Sequence, residues 1–333
     1  MLEVMAVMET RLITSTAEAA SILRSGGLVA LPTETVYGLG ARVDQADAIA
    51  RIFDAKHRPA DNPLIAHVAS RDQVDDLVQR VPGWAEDLMN AFWPGPLTLV
   101  LPARDGVPSI LTAGLSTVGV RMPDHADMLA VIATLGVPVA APSANRSGRP
   151  SPTTWEAVRD DMDGRIDAIL KAGPTTVGLE STVVDCTGDV PVILRPGAVT
   201  LADLRTVHPS ARPRTPDDHA HRSPGMRHRH YRPEAEVRWV GPFGPTDPAE
   251  TSHVGSGADR PSASYIGLNP PPDASKYSRI EIVSSLEAYA RELFHFFRSC
   301  ESEGIQIIEC ERVPSGGLGQ ALTDRIDRAV GFG

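Results

Sequence analysis

Short apolar runs separated by helix-like segments set the strongest limit on how this 333-residue chain can fold. Runs of four or five mostly apolar residues bounded by turn signals are typical of buried strands. Such runs occur at residues 28–31, 64–68, 97–101, 118–122 and 137–141. Some connections between the runs are as short as a hairpin, and others have room for a crossover helix. The pattern of runs and connections therefore predicts an α/β fold with a mixed, twisted sheet and flanking helices.

The helical segments between these runs are recognised by their spacing and their ends. Thr16 is predicted to be the N-cap of a helix that stops at two glycines. Residues 47–55 carry apolar side chains at helical spacing, and Pro59 prevents this helix from continuing. Lys56 and Arg58 are therefore expected to leave a helix C-terminus. Further helices are predicted at residues 71–79, 84–92 and 125–135, and further strands at 167–171, 182–186 and 192–194.

The periodic pattern breaks once, and the break divides the chain. A chain of this length is expected to form two domains. We predict a larger domain at residues 8–206, a linker rich in Pro, Arg and His at 207–235, and a smaller domain at 236–333. The smaller domain is predicted to be a Rossmann-like α/β unit, with strands at 237–240, 263–268, 280–283 and 305–309 and helices at 286–298 and 321–330. It has no Gly-x-Gly-x-x-Gly after a strand, so we assign it no chemistry of its own.

Composition excludes several classes of protein. The net charge of −10 disfavours a protein that mainly grips a nucleic-acid backbone, because that affinity requires many cations. The chain has no apolar run long enough to span a membrane, and its N-terminus lacks the basic and apolar regions of a signal peptide. Cys186, Cys300 and Cys310 lack metal-ligand spacing and are expected to be reduced thiols. These features predict a cytoplasmic protein.

Two polar segments interrupt the apolar runs and carry side chains suited to chemistry. The first is Leu-Pro-Thr-Glu-Thr-Val-Tyr-Gly-Leu-Gly at residues 31–40, followed by Lys-His-Arg-Pro-Ala-Asp-Asn-Pro-Leu at 56–64. The second is Pro-Ser-Ala-Asn-Arg-Ser-Gly-Arg-Pro at 142–150. Hydroxyls, amides and cations on loops that follow strands are typical of a functional site. Because the chain has no Walker A motif, any phosphates would be held by scattered cations, hydroxyls and backbone amides.

Lys56 is notable because lysine is rare in this chain. Only three of its 32 Lys and Arg residues are lysines. A compact ammonium on a flexible stem can follow a phosphate or carboxylate whose charge changes, which a planar guanidinium does less easily. The alternative is a surface lysine at the end of a helix.

These segments, together with Pro-Gly-Pro-Leu-Thr at residues 94–98 and Leu-Arg-Pro-Gly at 194–197, resemble the YrdC-like domain of the threonylcarbamoyl-AMP synthase family. The resemblance covers residues 8–206, and the remainder resembles the linker and C-terminal domain of the longer, two-domain members. It implies a nucleotidyltransferase that makes threonylcarbamoyl-AMP and pyrophosphate from L-threonine, bicarbonate or CO₂, and ATP with Mg²⁺. The product would pass to a separate transferase that modifies tRNA, and direct contact with tRNA is left open.

The resemblance also implies which residues form the site, and it implies no protein ligand for a metal. The catalytic residues would be Lys56, Arg58, Ser143 and Asn145. The ATP-binding residues would be Arg58, Asn62, Thr117, Ser143, Ser151, Arg195 and Tyr231. The threonine-binding residues would be Thr35, His67, Arg121, Ala141 and Ser181.

Several of these assignments have structural alternatives. Arg121 could form a salt bridge with a nearby acid instead of meeting a substrate carboxylate. Glu34 could be a base, or it could make a structural hydrogen bond within its loop. Within the linker, residues 223–231 could be a flexible tether or a lid over the ligands, whereas a metal site through His228 and His230 would have an incomplete ligand set.

Two other functions remain open from the sequence. A concave cationic site could bind RNA without catalysis, although the acidic net charge weighs against this. A carbamoyl-adenylate-forming enzyme of hydrogenase maturation is a closer alternative. The chain lacks the acylphosphatase and zinc-finger regions expected of such an enzyme.

Overall fold

The computed structural model describes residues 9–216, 218, 231–241 and 262–331. These residues fall into two compact units. The first lies within Met1–Ser147 and Ser151–His228, and the second within Gly148–Pro150 and Arg229–Gly333.

The described part of the first unit contains an 11-stranded sheet and eight helices. The strands are β1 (Arg11–Ile13), β2 (Val29–Leu31), β3 (Gly38–Arg42), β4 (Ile65–His67), β5 (Leu97–Pro102), β6 (Thr117–Arg121), β7 (Val139–Ala140), β8 (Ala168–Leu170), β9 (Thr182–Asp185), β10 (Val192–Arg195) and β11 (Arg212–Pro213). The helices are α1 (Thr16–Arg24), α2 (Ala46–Lys56), α3 (Asp72–Asp75), α4 (Gly83–Phe92), α5 (Ser109–Thr112), α6 (Ala126–Leu135), α7 (Trp155–Met162) and α8 (Leu201–Val207).

The strand order makes this sheet mixed, as the sequence predicts. The order is β1-β8-β2-β3-β7-β4-β6-β5-β9-β10-β11. The sheet contains both parallel pairs, such as β4 with β6, and antiparallel pairs, such as β3 with β7. Strands β3, β7, β4 and β6 are neighbours near the middle of the sheet, although β3 and β7 lie far apart in sequence. The predicted α/β fold with a mixed sheet is confirmed.

Local signals place most helix ends within a residue or two. The prediction that Thr16 is the N-cap of α1 is wrong by one residue: Ser15 has extended backbone angles, and its side chain accepts a hydrogen bond from Glu18 N. Helix α2 ends at Lys56, and His57 adopts a left-handed conformation at its C-cap. The helix predicted at residues 71–79 is only the short α3, because the chain then turns and contacts the end of β5, where Gln79 N donates to Pro102 O at 3.0 Å.

Strand β3 was not predicted, because its glycines weaken the apolar signal. It lies within the first polar segment and is antiparallel to β2, with Ala30 opposite Leu39. A Cβ on Gly40 would lie 2.8 Å from Leu31 Cδ1 and 3.1 Å from Val139 Cγ1. Glycine at position 40 therefore permits close packing between neighbouring strands.

The second unit is a smaller α/β unit with a fully parallel sheet. Its described strands are β12 (Glu236–Val240), β13 (Ala263–Gly267), β14 (Arg279–Ile282) and β15 (Ile307–Glu311), in the order β12-β15-β13-β14. They are accompanied by α9 (Leu286–Ser302) and α10 (Leu318–Val330). Helix α9 buries one aromatic and aliphatic face that includes Leu293, Phe294 and Phe297. The prediction of a small α/β unit is confirmed, with α9 and α10 each longer than expected.

The described helices include none that is both long and apolar enough to cross a membrane. Cys186, Cys300 and Cys310 are all buried free thiols. Burial raises the pKa of Cys186 and Cys310 well above the usual range for a thiol. None of the three therefore has the lowered thiol pKa of a reactive cysteine.

Candidate active site

The two polar segments lie side by side in the folded first unit. Leu39 N donates a hydrogen bond to Pro142 O at 2.7 Å, and Ala144 N donates to Tyr37 O at 2.8 Å. An isolated β-bridge joins Gly38 to Ser143. Strand β7 produces this arrangement, because it pairs with β3 and then leads directly into residues 141–145. Backbone hydrogen bonds thus join the two polar segments directly at Tyr37–Leu39 and Pro142–Ala144.

Lys56 ties the end of α2 to the second polar segment. Its side chain is almost fully buried, with 1% of the residue exposed. Its Nζ donates to Ser143 O at 2.5 Å and also to Asn145 O, while Ser147 N donates to Lys56 O at 2.9 Å. The alternative of a surface lysine is therefore wrong. Main-chain carbonyls partly compensate a charge that would be costly to bury alone.

Arg58 and Asn62 lie in the turn that follows α2. Arg58 is half-buried, and it donates from Nε to Asn62 O at 3.2 Å and from Nη2 to Pro63 O at 2.9 Å. Asn62 is buried. These bonds fix the guanidinium against its own loop, which is shaped by the left-handed His57.

Arg121 is the centre of the predicted amino-acid pocket. It ends β6 and is 3% exposed. Its Nη1 donates to Thr35 Oγ1 at 2.9 Å, and its Nε donates to Gly95 O at 3.1 Å. His67 is its register partner on β4. The structure therefore brings Thr35 and Arg121 into contact and places His67 on the adjacent strand.

His67 is held in its neutral form. Burial, and next the nearby positive charge of Arg121, lower its pKa to about 3. Its Nδ1 is buried and has no hydrogen-bond partner within the described part of the chain. A neutral imidazole at this place can accept or donate a hydrogen bond, but it does not add positive charge to the pocket.

Glu34 forms the salt bridge that was the alternative for Arg121. Its Oε1 lies 2.5 Å from Arg121 Nη2, and the residue is 5% exposed. The contact does not have hydrogen-bond geometry, and neither carboxylate oxygen has a hydrogen-bond partner among the described residues. The predicted alternative of a side-chain hydrogen bond within the loop is therefore not found. The main chain of Glu34 is anchored instead, because its carbonyl accepts from Val177 N at 2.8 Å.

Ser181 and Arg195 form a second buried polar group in this unit. Arg195 Nη2 donates to Ser181 O at 2.9 Å and to Ser181 Oγ at 3.2 Å. Ser181 Oγ also lies 2.8 Å from Thr98 Oγ1. A Cβ on Gly197 would lie 2.4 Å from Thr182 N, so the glycine of Leu-Arg-Pro-Gly lets the chain pass this cluster.

Two polar partners of the predicted site were missed by sequence reasoning. Ser151 Oγ hydrogen-bonds to Glu180, which is buried, and Thr98 contacts Ser181. Glu180 directly precedes Ser181, and Thr98 ends the Pro-Gly-Pro-Leu-Thr motif, so the sequence position of each offered a signal.

The first polar segment links these groups through its backbone. Tyr37 N donates to Pro152 O at 2.9 Å, next to Ser151. Thr35 O accepts from Gly178 N at 3.1 Å, near Glu180 and Ser181. The first polar segment thus contacts residues 142–144, the side chain of Arg121 and the chain just before Ser181.

Comparison with known proteins agrees with this arrangement. A family model described as Telomere recombination, named Sua5_yciO_yrdC, matches residues 21–197, and one described as Threonylcarbamoyl-AMP synthase, C-terminal domain, matches residues 199–331. A Pyrococcus abyssi protein named Threonylcarbamoyl-AMP synthase is 42% identical over 94% of this chain and 93% of its own length. The chain belongs to the threonylcarbamoyl-AMP synthase family.

Other members of the threonylcarbamoyl-AMP synthase family match over similar lengths. The Bacillus subtilis member is 41% identical over 95% of this chain and 92% of its own. The crystal structure of P. abyssi Sua5 complexed with L-threonine has a TM-score of 0.86 and 40% identity, and covers 97% of this chain and 98% of that one. The predicted family, fold class and assignment as a nucleotidyltransferase-type enzyme are confirmed.

Some residues assigned from the family resemblance are not in these side-chain clusters. Thr117 is buried at the start of β6, opposite Pro102, and Ala141 donates its N–H to Ile65 O at 3.0 Å. Tyr231 belongs to the second unit, where its ring stacks on Phe294 with centroids 5.3 Å apart. The predicted role of Tyr231 in binding ATP stays a prediction.

The remaining linker assignments lie outside the described residues. They are residues 223–230 of the lid or tether predicted at 223–231, including the histidines His228 and His230. Within the described part of this family member, no group of three or more His, Cys, Asp or Glu residues is placed to hold a metal ion.

Proposed function

We propose that the chain is an L-threonylcarbamoyladenylate synthase that joins L-threonine, bicarbonate or CO₂, and ATP, and releases pyrophosphate. The observation that carries the proposal is the similarity to the P. abyssi relative, because it extends over 94% of the chain and not over one motif. The relative's crystal structure with L-threonine supports the choice of amino acid. The product would pass to a separate transferase for threonylcarbamoyladenosine formation in tRNA, and diffusion could deliver it.

The amino-acid substrate is proposed to bind at Arg121. A guanidinium can meet a carboxylate through two parallel hydrogen bonds, and Thr35 and Gly95 already fix its Nη1 and Nε sides. Thr35, His67 and Ser181 offer polar groups for the substrate hydroxyl, and Ala141 offers an apolar contact. Such a site should reject valine strongly, whereas serine lacks only a methyl group worth about 1–3 kcal/mol. Serine is therefore the more serious competitor.

The nucleotide is proposed to bind among the cations and short polar groups around the second polar segment. Arg58 and Arg195 would face phosphates, with Asn62, Thr117, Ser143, Ser151 and Tyr231 completing the site. The direct role predicted for Lys56 on carbamate and phosphates stays a prediction. Its bonds to Ser143 O and Asn145 O support an additional role, in which Lys56 positions the loop that presents Ser143 and Asn145.

The proposed chemistry needs little covalent participation by the protein. The threonine amine captures CO₂ as a carbamate, whose oxygen attacks the α-phosphorus in line as pyrophosphate leaves. Catalysis then consists of positioning and of stabilising developing charge. Mg²⁺ is proposed as part of the ATP substrate, with phosphate oxygens and water as ligands. We also propose the cytoplasm as the location, which the free, buried cysteines suit.

The proposal is tested by incubating the purified chain with Mg-ATP and radiolabelled bicarbonate, with and without L-threonine. We expect pyrophosphate and a labelled nucleotide adduct only when threonine is present, with less adduct from serine and almost none from valine. A second incubation supplies labelled carbamoyl phosphate in place of bicarbonate and threonine. Formation of a labelled nucleotide adduct in that incubation would favour the carbamoyl-adenylate alternative. Absence of any adduct, combined with salt-sensitive RNA binding, would favour the non-catalytic alternative.

A further inference from the structure

We propose that Glu34 receives the α-ammonium group of the amino-acid substrate, so that Glu34 and Arg121 together recognise a zwitterion. This inference rests on the proposed function, because it names the partner of a substrate group to which we assigned no residue above. It makes Glu34 a specificity-determining residue of the same pocket.

The first support is a set of unsatisfied buried atoms at one place. Both carboxylate oxygens of Glu34 and the Nη2 of Arg121 are buried without hydrogen-bond partners in the described chain. The ion pair between Glu34 Oε1 and Arg121 Nη2 compensates their charges, but it leaves the hydrogen-bonding capacity of these buried atoms unused, which is unfavourable. Buried groups of this kind are few in native proteins and call for an explanation. A ligand that carries both a donor and an acceptor would supply the missing partners.

The second support is charge complementarity. A free amino acid carries one carboxylate and one ammonium group on the same carbon. Arg121 Nη2 and Glu34 Oε1 present the two opposite charges 2.5 Å apart. The ligand carboxylate can accept from Nη2, and the ligand ammonium can donate to the Glu34 oxygens. Binding therefore exchanges a contact that lacks hydrogen-bond geometry for two charge-assisted hydrogen bonds.

The third support is the neutrality of the other predicted pocket residues. Thr35, Ala141 and Ser181 carry no charge, and His67 is held neutral with its pKa at about 3. Arg121 would therefore meet the carboxylate without competition from a second cation in this set. Glu34 is the acid that the structure places in contact with Arg121.

The loop that carries Glu34 is fixed before any ligand binds. Thr33 Oγ1 donates to Val36 O at 2.7 Å and accepts from Thr35 N at 3.1 Å. Val177 N holds the Glu34 carbonyl at 2.8 Å. A carboxylate on a braced loop is a suitable recognition group, because little ordering remains to be done when the ligand arrives.

The test compares L-threonine with 3-hydroxybutanoate, which is the same molecule without its amino group. Binding of each to the wild type and to Glu34→Gln is measured by titration calorimetry on the full chain. A charge-assisted hydrogen bond is worth about 1.5–3 kcal/mol, so the wild type should bind threonine at least about tenfold more tightly than 3-hydroxybutanoate. Glu34→Gln should lose most of that preference, and its affinity for 3-hydroxybutanoate should stay nearly unchanged.

Two results would overturn the assignment. Equal affinity of the wild type for both ligands would show that the ammonium group is not recognised, and this measurement does not depend on a variant that folds. If Glu34→Gln loses affinity for threonine and for 3-hydroxybutanoate equally, Glu34 is only a positioning residue for Arg121. Circular dichroism and the exposed variant Glu86→Gln control for unfolding. A wild type that binds no threonine would instead overturn the proposed function itself.

Discussion

The Lys56 ammonium donates a hydrogen bond to the main-chain carbonyl of Ser143, 87 residues further along the chain, at 2.5 Å. This contact joins the end of α2 to the loop after β7, and it directs a buried charge at main-chain carbonyls. It also links two of the four residues predicted to be catalytic. The conformation of the Ser143 loop therefore depends on a side chain that reaches it from another part of the sequence.

Replacing Lys56 by Met should remove this link while keeping most of the side-chain volume. Hydrogen bonds to a charged group are worth about 1.5–3 kcal/mol, so we expect a fall in stability of that order and at least about a tenfold loss of threonine-dependent pyrophosphate release. Lys276→Met, an exposed lysine of the second unit, is the matched control. Wild-type rates and melting temperature in Lys56→Met would contradict the positioning role.

The buried His67 should make stability depend on pH. Because its folded pKa is lowered to about 3, the unfolded chain binds an extra proton between that pH and the ordinary His value near 6.5. Stability contributed by the neutral imidazole is thus present above pH 6.5 and is lost as the pH falls, by at most about 1.4 kcal/mol per pH unit. Urea unfolding at pH 7 and pH 5 should show a smaller loss for His67→Gln than for the wild type. Parallel pH profiles would contradict the burial of a neutral His67.

Two substitutions of Tyr231 should separate packing from ligand binding. Its ring stacks on Phe294 and lies below the Arg325 guanidinium, 5.5 Å from the ring centroid. Tyr231→Ala should therefore destabilise the full chain by about 2–4 kcal/mol in a calorimetric melt. Tyr231→Phe keeps the ring, so its stability should change by less than about 1.5 kcal/mol. Because the predicted ATP contact would be lost with the hydroxyl, Tyr231→Phe should bind ATP more weakly although its stability is nearly that of the wild type. Unchanged ATP affinity of Tyr231→Phe would count against that role.

Gly197, which lies beside the hydrogen-bonded pair Ser181 and Arg195, should not tolerate a methyl group. A Cβ at position 197 would overlap the backbone of residues 181 and 182, whereas a Cβ at Gly188 would meet no atom within 4 Å. We expect Gly197→Ala to lower the free energy of unfolding by about 1–3 kcal/mol and Gly188→Ala to change it little. Denaturant titration of the two variants checks this. Equal free energies of unfolding for Gly197→Ala and Gly188→Ala would mean that the backbone at residues 181 and 182 can move away from position 197 without cost.

The parts of the fold that depend on local signals could be predicted, and the parts that depend on pairing could not. The helix at α1 was placed from its cap and its glycines, and the strands at β4 and β6 from their apolar runs. Strand β3 was missed because Gly38 and Gly40 lower its apolar signal, although its neighbours require glycine there. The predicted helix over residues 71–79 was too long, because Gln79 pairs with Pro102 instead.

The candidate active site was also only partly predictable from the sequence. The family resemblance implied that Arg121 and Thr35 belong to one pocket, and in the structure Arg121 Nη1 lies 2.9 Å from Thr35 Oγ1. The roles of those residues in binding remain predictions. The partners Glu180 and Thr98 were not foreseen, because each enters through strand pairing and loop packing and not through spacing along the chain.

The sequence by itself determined the α/β class, the break into two parts, the family resemblance and the residue types of the site. These follow from periodicity and from short motifs, which act over a few residues. Only the tertiary structure decided that Lys56 is buried against Ser143 O and that Arg121 faces Glu34 and Thr35. The reason is physical: those contacts join residues 86 or 87 positions apart, and they depend on the strand order β3-β7-β4-β6, which no local pattern specifies.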